Sequence, residues 1–205
     1  MIIIDDFAQE SPEWFAERLG NPGSASFDQI LTNVQREPSK SLQSLMMQLA
    51  GEYVAGVQED TYKGNWMIKG NEREPEARIK FMEHTGLLVQ EIALCYPDEH
   101  KKYHASTDGI VEDGAPLEIK CPKLKTHLEY LFSGEFPVAK YNAQVQGEIL
   151  VTGADHAWFM SYYPNLVPFI TKVPADPEYI KKLETALDKF CVDLAVMIGR
   201  VKIGF

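Results

Sequence analysis

The stretch Asp108-Gly-Ile-Val-Glu-Asp-Gly-Ala-Pro-Leu-Glu118-Ile-Lys120 constrains this chain more than any other part of it. Its centre, Glu112-Asp113-Gly114-Ala115, is a tight-turn sequence, because Asp-Gly readily supplies the backbone that a hairpin turn needs. The turn folds two short apolar segments back alongside each other, so Asp108 and Glu118 approach. Glu118 and Lys120 are two apart on a strand and share one face, while Ile119 points into the core. Pro122 ends the ladder just beyond, leaving Lys120 near a strand end, a usual place for catalytic groups. Two carboxylates and an ammonium on one surface suit metal-assisted phosphodiester hydrolysis. Hard oxygen ligands hold Mg²⁺, and the lysine orients or activates the attacking water. A solvated charged strand shows the same spacing, so the neighbourhood has to discriminate.

The remaining pattern predicts a scaffold of alternating layers. Ser11 and Pro12 read as the cap and first residue of a short helix ending before Gly20. Ser26 to Val34 reads as a short helical turn, Lys40 to Val57 as a long helix, and a further helix runs to about His84. Pro75 sits at that helix's first turn or kinks it. At 100° per residue from Glu74, the residues Ala77, Arg78 and Phe81 share its side, whereas Glu76 and Glu83 lie opposite. Glu74 is therefore the local acid that faces inward. Strands follow at Leu87–Leu94, Lys102–Ser106, Gly109–Val111 and Pro116–Lys120. Then come helices at Thr126–Phe132 and Tyr141–Val151, strands at His156–Tyr163 and Val167–Val173, and a helix over Asp176–Ile198. This order implies an α/β fold with a central mixed β-sheet flanked by helices.

Length and composition narrow the class. With 205 residues and 45% hydrophobic content, the chain can bury one good core, and residues 1–205 are most simply a single domain. No apolar run reaches the ~18 residues of a membrane span. Met1-Ile-Ile-Ile-Asp5-Asp6 lacks a basic n-region, so a cytoplasmic location is expected. Cys95, Cys121 and Cys191 are far apart with no Cys-x-x-Cys pair, which argues against disulfides, a zinc site and an iron–sulfur cluster. The five histidines (His84, His100, His104, His127, His156) have no metal-ligand spacing and are expected at surface or core-edge positions. No Ser-His or Cys-His pairing suggests a covalent intermediate.

Net charge is −10, from 20 Lys+Arg against 30 Asp+Glu. That does not exclude nucleic acid, because binding depends on where positive charge faces phosphate. Lys120, Lys123 and Lys125 gather around the proposed site, with Lys101 and Lys102 just upstream. Acid is dense at Asp5, Asp6, Glu10, Glu13 and Glu17. The pattern suits local gripping of DNA in a groove rather than nonspecific coating.

Ser106-Thr-Asp108-Gly-Ile-Val together with Leu117-Glu118-Ile-Lys120-Cys-Pro resembles the core motif of the phage lambda exonuclease family, the YqaJ-like viral recombinases. Trp14-x3-Arg18-x-Gly20 with Ser24-Ala-Ser26 resembles that family's N-terminal block. Gly70-x3-Glu74-x2-Ala77-Arg78, ending in Phe81 and Thr85-Gly86, resembles its acid-bearing helix. Tyr141-x2-Gln144-Val-Gln146, Val151-Thr152-Gly153 and Trp158-Phe-Met-Ser-Tyr162 resemble the region after the core. The blocks occur in order from about Ser11 to about Tyr179. Thr107 replaces a proline before the first acid, and the stretch from Gly20 to Ser26 is one residue longer, leaving Ser24 and Ser26 as alternatives.

The resemblance implies a restriction-endonuclease-like core and a Mg²⁺-dependent 5′→3′ exonuclease that degrades one strand of linear double-stranded DNA. It would release 5′-mononucleotides and leave a 3′ single strand. It implies two metal ions per site, with Mn²⁺ able to substitute. Asp108, Glu118 and the carbonyl of Ile119 ligate metal, Glu74 helps hold a second ion or its water, and Lys120 positions the nucleophile. Arg18, Ser26, Ser106 and Gln144 stand where the family binds the 5′-terminal phosphate. Met67, in Trp66-Met67-Ile68, aligns with a wedge that splits the end base pair. A ring-shaped homotrimer, a phage-type single-strand annealing partner, and a phage or prophage origin in a bacterial host are further implications. Two readings compete: a structure-specific or restriction-type endonuclease on the same fold, and an inactive DNA-end binding module. Absence of an added recognition domain argues against the first, and the intact Asp108, Glu118 and Lys120 against the second.

Overall fold

The computed structural model describes residues 1–58 and 65–204, with side chains described except at 65–71. Ser11 opens the first helix, α1 (Pro12–Arg18), by accepting a hydrogen bond from Trp14 N at 3.2 Å. A 3₁₀ turn (Ser24–Gln29), α2 (Leu42–Ala55) and α3 (Asn65–Thr85) follow. The strands are β1 (Ile2–Ile4), β2 (Val89–Gln90), β3 (Leu94–Tyr96), β4 (Gly109–Val111), β5 (Pro116–Lys120), β6 (His156–Ser161) and β7 (Phe169–Pro174). Between β5 and β6 lie α4 (Leu124–Ser133) and α5 (Val138–Thr152), and α6 (Pro177–Ile203) closes the described chain, capped by Asp176. Among the described residues, no helix is long and apolar enough to cross a membrane.

The architecture is α/β, with a five-stranded mixed sheet in the order β2-β4-β5-β6-β7. All its neighbours are antiparallel except β5 and β6, which run parallel with Glu118 opposite Phe159 and Lys120 opposite Ser161. A parallel pair needs a long crossover, and α4 and α5 supply it. The expected hairpin forms: Gly109 pairs with Leu117 and Ile110 with Pro116. At its tip, Gly114 N donates to Val111 O at 2.8 Å, with Gly114 in the left-handed region at φ 85°. The apolar core wraps the sheet on both sides. Phe81, Leu117, Ile119 and Met160 form one cluster, and Val145, Ile149, Phe159 and Phe169 another.

Several expected elements are corrected. The strand read over Leu87–Leu94 is two strands in two sheets, because 89–90 pair with β4 whereas 94–96 turn away to pair with β1. Lys102–Ser106 keeps only single bridges, Gly23 to His104 and Cys95 to Ala105, as the chain swings toward the cleft. Pro75 lies inside α3 rather than in its first turn. Two histidines read as surface or core-edge residues are buried: His104 and His127. Each is held by a partner distant in the chain, which a sequence pattern does not show. His127, for example, sits between Ser161 Oγ at 2.9 Å and the Val167 carbonyl at 3.1 Å.

Candidate active site

The phase of α3 predicted from the sequence holds. Ala77, Arg78 and Phe81 are buried, Glu74 is half-buried, and Glu76 and Glu83 face solvent. Glu74 therefore reaches a cleft of about 640 Å³, at whose floor stand Asp108 from the segment before β4 and Glu118, Ile119 and Lys120 from β5. Ser106 and, from α5, Tyr141 and Gln144 line the same cleft. Four of the residues singled out for chemistry (Glu74, Asp108, Glu118, Lys120) thus converge, together with Ile119, Ser106 and Gln144.

The hairpin fixes Asp108 on both sides. Its backbone N donates to Leu117 O at 3.0 Å, and its Oδ2 accepts from Ile119 N at 2.5 Å. Arg78 braces it from α3: Nε donates to the Asp108 carbonyl at 2.9 Å, Nη2 to Glu74 Oε1 at 2.9 Å, and Nη1 pairs with Glu91 at 2.6 Å. One guanidinium thereby ties two acids of the site together, a use of the planar fork that lysine could not match. Sequence reading placed Arg78 on the right face but gave it no role; its spacing of four from Glu74 was the available signal.

Charge crowds this floor. Burial, then Glu118 and Glu74, hold the Asp108 carboxyl well above its usual range. Burial raises Glu74 as well, with Arg78 opposing. Lys120 ion-pairs with Glu118. Burial alone would lower the pKa of its ammonium, but Glu118 and Asp108 outweigh that and keep it charged.

A fourth acid was missed. Glu148 on α5 is fully buried, and burial followed by Glu118 pushes its carboxyl well above the usual range. Its Oε1 accepts from Gln144 Nε2 at 3.1 Å and lies 3.5 Å from Ser24 Oγ, while Oε2 is buried without a hydrogen-bond partner. Its position one helical turn beyond Gln144 was the only hint in the sequence.

The expected phosphate-binding group divides. Ser106 and Gln144 line the cleft; Arg18 and Ser26 do not. Ser26 Oγ turns back to donate to Gly23 O at 2.8 Å, whereas Ser24 is buried and directed at Glu148. Arg18 lies flat on Trp14, its Cζ 3.7 Å from the ring centroid, and its Nε donates to His104 Nε2 at 2.9 Å. Burial lowers its pKa to about 10, with Glu52 opposing. The side chain of Met67 lies outside the described residues. Of the lysines, Lys120, Lys123 and Lys140 line the cleft, but Lys101 and Lys102 pair elsewhere, with Glu17 at 2.6 Å and Asp188 at 3.1 Å.

The donors fit a hard divalent cation: carboxylate and carbonyl oxygens, buried, mutually repelling and short of positive charge. Among the described residues no three acid, histidine or cysteine side chains are yet spaced to grip an ion together, because Ile119 N–H, Lys120 and Arg78 occupy their oxygens.

A mixed sheet and a flanking helix that together present three acids and a lysine to one open cleft are the layout of a nuclease. The comparisons give that class a family. Residues 13–155 match the YqaJ-like viral recombinase domain, and the chain belongs to that family. Its structure is similar to the alkaline exonuclease LHK-Exo from Laribacter hongkongensis, with 31% identity, a TM-score of 0.84, and coverage of 95% of this chain and 97% of that one. LHK-Exo in complex with dAMP matches at 30% identity and a TM-score of 0.82, over 95% and 97% of the two chains. A phage-related exonuclease from Haemophilus somnus 129PT shares the fold at 17% identity and a TM-score of 0.64, over 86% and 95%. No curated protein sequence matches the chain.

Proposed function

We propose that this protein is a Mg²⁺-dependent 5′→3′ exonuclease of linear double-stranded DNA, acting as a single domain and releasing 5′-mononucleotides. The observation that carries the proposal is the meeting of Glu74, Asp108, Glu118 and Lys120 in one cleft. A relative of 30% identity crystallised with dAMP, a nucleotide of the kind such a reaction releases, supports it.

Asp108, Glu118 and the Ile119 carbonyl would hold the cation, and Glu74 a second one or its water. When bound, the metal supplies Lewis-acid polarisation of the phosphate and activation of water. Lys120, charged because Glu118 and Asp108 hold its proton, donates rather than accepts. It orients the attacking water and offsets charge that develops on the phosphate. Arg78 keeps Glu74 and the Asp108 backbone in register. Enzymes typically lower barriers by ~8–23 kcal/mol, and here positioning and electrostatics must supply it. Arg18, Ser106, Gln144 and one of Ser24 and Ser26 would receive the 5′-terminal phosphate, with Met67 as wedge. An acidic exterior with lysines at the cleft suits a trimeric ring with DNA in its lumen, handing the 3′ strand to an annealing protein.

The test is digestion of linear duplexes that differ only in 5′ phosphorylation, beside a covalently closed circle, with strand and product read out. Loss of the 5′ strand as mononucleotides with the circle intact is expected. A nicked circle would favour an endonuclease, and no Mg²⁺-dependent release would favour an inactive end-binding module.

A further inference from the structure

We infer that His104 is the positioning residue for Arg18, locking its guanidinium so that the two terminal nitrogens stay available to the 5′-terminal phosphate. The inference rests on the reading of Arg18 as that phosphate's ligand. Arginine has many rotamers, and a recognition fork works only if its orientation is set before the ligand arrives. Two contacts set it here. The Trp14 ring fixes the plane at 3.7 Å, and His104 Nε2, accepting from Nε at 2.9 Å, fixes the rotation within that plane. Arg18 forms no other hydrogen bond among the described residues, where the buried Glu52 carboxylate attracts its charge.

The imidazole is built for this contact. An arginine Nε–H can only donate, so Nε2 must accept and the ring proton sits on Nδ1. That nitrogen is buried without a partner, a cost to stability that an apolar side chain of similar size would avoid. Burial and the adjacent Arg18 charge keep the ring neutral, which preserves the acceptor. Backbone clamps it on both sides: His104 N donates to Pro22 O at 3.2 Å, and its carbonyl accepts from Ser24 N at 2.9 Å. Gly23 between them leaves the ring its seat, since a Cβ there would lie 2.6 Å from Nε2. The same loop carries Ser24 to Glu148, and Ser106, two residues after His104, lines the cleft. His104 thus joins Arg18 to the site through a short, rigid path.

The experiment compares kcat/KM on 5′-phosphorylated and 5′-hydroxyl linear duplexes for wild type, Arg18→Ala, His104→Leu, His104→Gln and the Arg18→Ala/His104→Leu double variant, with melting temperatures alongside. Leucine removes the acceptor at similar size; glutamine restores an acceptor near Nε2. Arg18→Ala and His104→Leu should each erase about tenfold of phosphate preference through KM, with hydroxyl ends little changed. Glutamine should restore it, and leucine should add nothing once Arg18 is gone. Preference lost in Arg18→Ala but kept in His104→Leu overturns the role of His104 while leaving that of Arg18. Preference kept in Arg18→Ala overturns both. A well-folded His104→Gln without preference shows that shape, not the acceptor, matters, which also overturns it. If His104→Leu does not fold, Gly23→Ala serves: it displaces the ring at an ordinary φ of −102° and should lose the same preference, and retention there counts against the proposal.

Discussion

The backbone N–H of Ile119 donates to Asp108 Oδ2 at 2.5 Å, across the ladder from one strand of the hairpin to the other. The bond fastens the first acid of the cleft to the strand that carries the second. Positions of Asp108 and Glu118 are therefore not independent, and their spacing is set by backbone rather than by flexible side chains.

Lys120→Ala should abolish hydrolysis, by roughly 10²–10⁴-fold in kcat, with fold and DNA binding nearly intact. The ammonium lies at a strand end against Glu118 and over the Tyr141 ring at 5.2 Å, so its removal takes charge from the cleft rather than volume from the core. Asp108→Ala should be inactive too, with a weaker response to Mg²⁺ in titration. Near-normal turnover by either variant at saturating Mg²⁺ would sink the assignment.

The hairpin and the face of α3 were legible because their causes are local. Asp113-Gly114 dictates the turn, and helical phase alone selects Glu74 over Glu76 and Glu83. Arg78, Glu148 and His104 were not legible as functional residues, because what defines each is a partner far along the chain: Asp108, Glu118 and Arg18. The break between β2 and β3 was hidden for the same reason. The pattern reads as one strand over Leu87–Leu94, and only the competing partners β1 and β4 divide it.

The buried carboxyl of Glu148 gives stability a pH dependence with a definite sign. Its folded-state pKa is raised above the ordinary 4.5 by burial and by Glu118. Folded protein therefore holds the proton longer than unfolded chain, so the contribution is complete below 4.5 and is lost as pH rises through the folded value. In the presence of EDTA, the melting temperature of wild type minus that of Glu148→Gln should fall as pH rises above the ordinary 4.5, since glutamine has no proton to lose. Mg²⁺ should flatten the difference by neutralising the cleft. A constant difference in EDTA would mean that Glu148 ionises as an exposed acid does.

The proposed ring makes a mass prediction. Light scattering should return about three times the 23.2 kDa of the chain. Raising salt should weaken DNA binding, because cleft lysines meet phosphate. A monomer at working concentration would contradict the ring and leave the cleft chemistry untouched.

Gly147 tests whether the helix behind the cleft tolerates any displacement. It stands on α5 between Gln144 and Glu148, directly against Phe27 of the 3₁₀ turn, and a Cβ there would lie 2.3 Å from the Phe27 ring. Phe27 is fully buried and cannot swing aside, so α5 and the turn must separate. Gly147→Ala should cost about 1–3 kcal/mol, or roughly 2–12 °C in Tm, despite alanine's better helix propensity. Separation also pulls Ser24 from Glu148 and shifts Gln144, so cleavage well below Tm should fall as well. Gly51→Ala is the control: it lies inside α2 with nothing within 4 Å of the added Cβ, and should instead stabilise by about 0.5–1 kcal/mol without touching the rate. Equal effects from the two substitutions would show that the contact between α5 and the 3₁₀ turn is looser than the geometry requires.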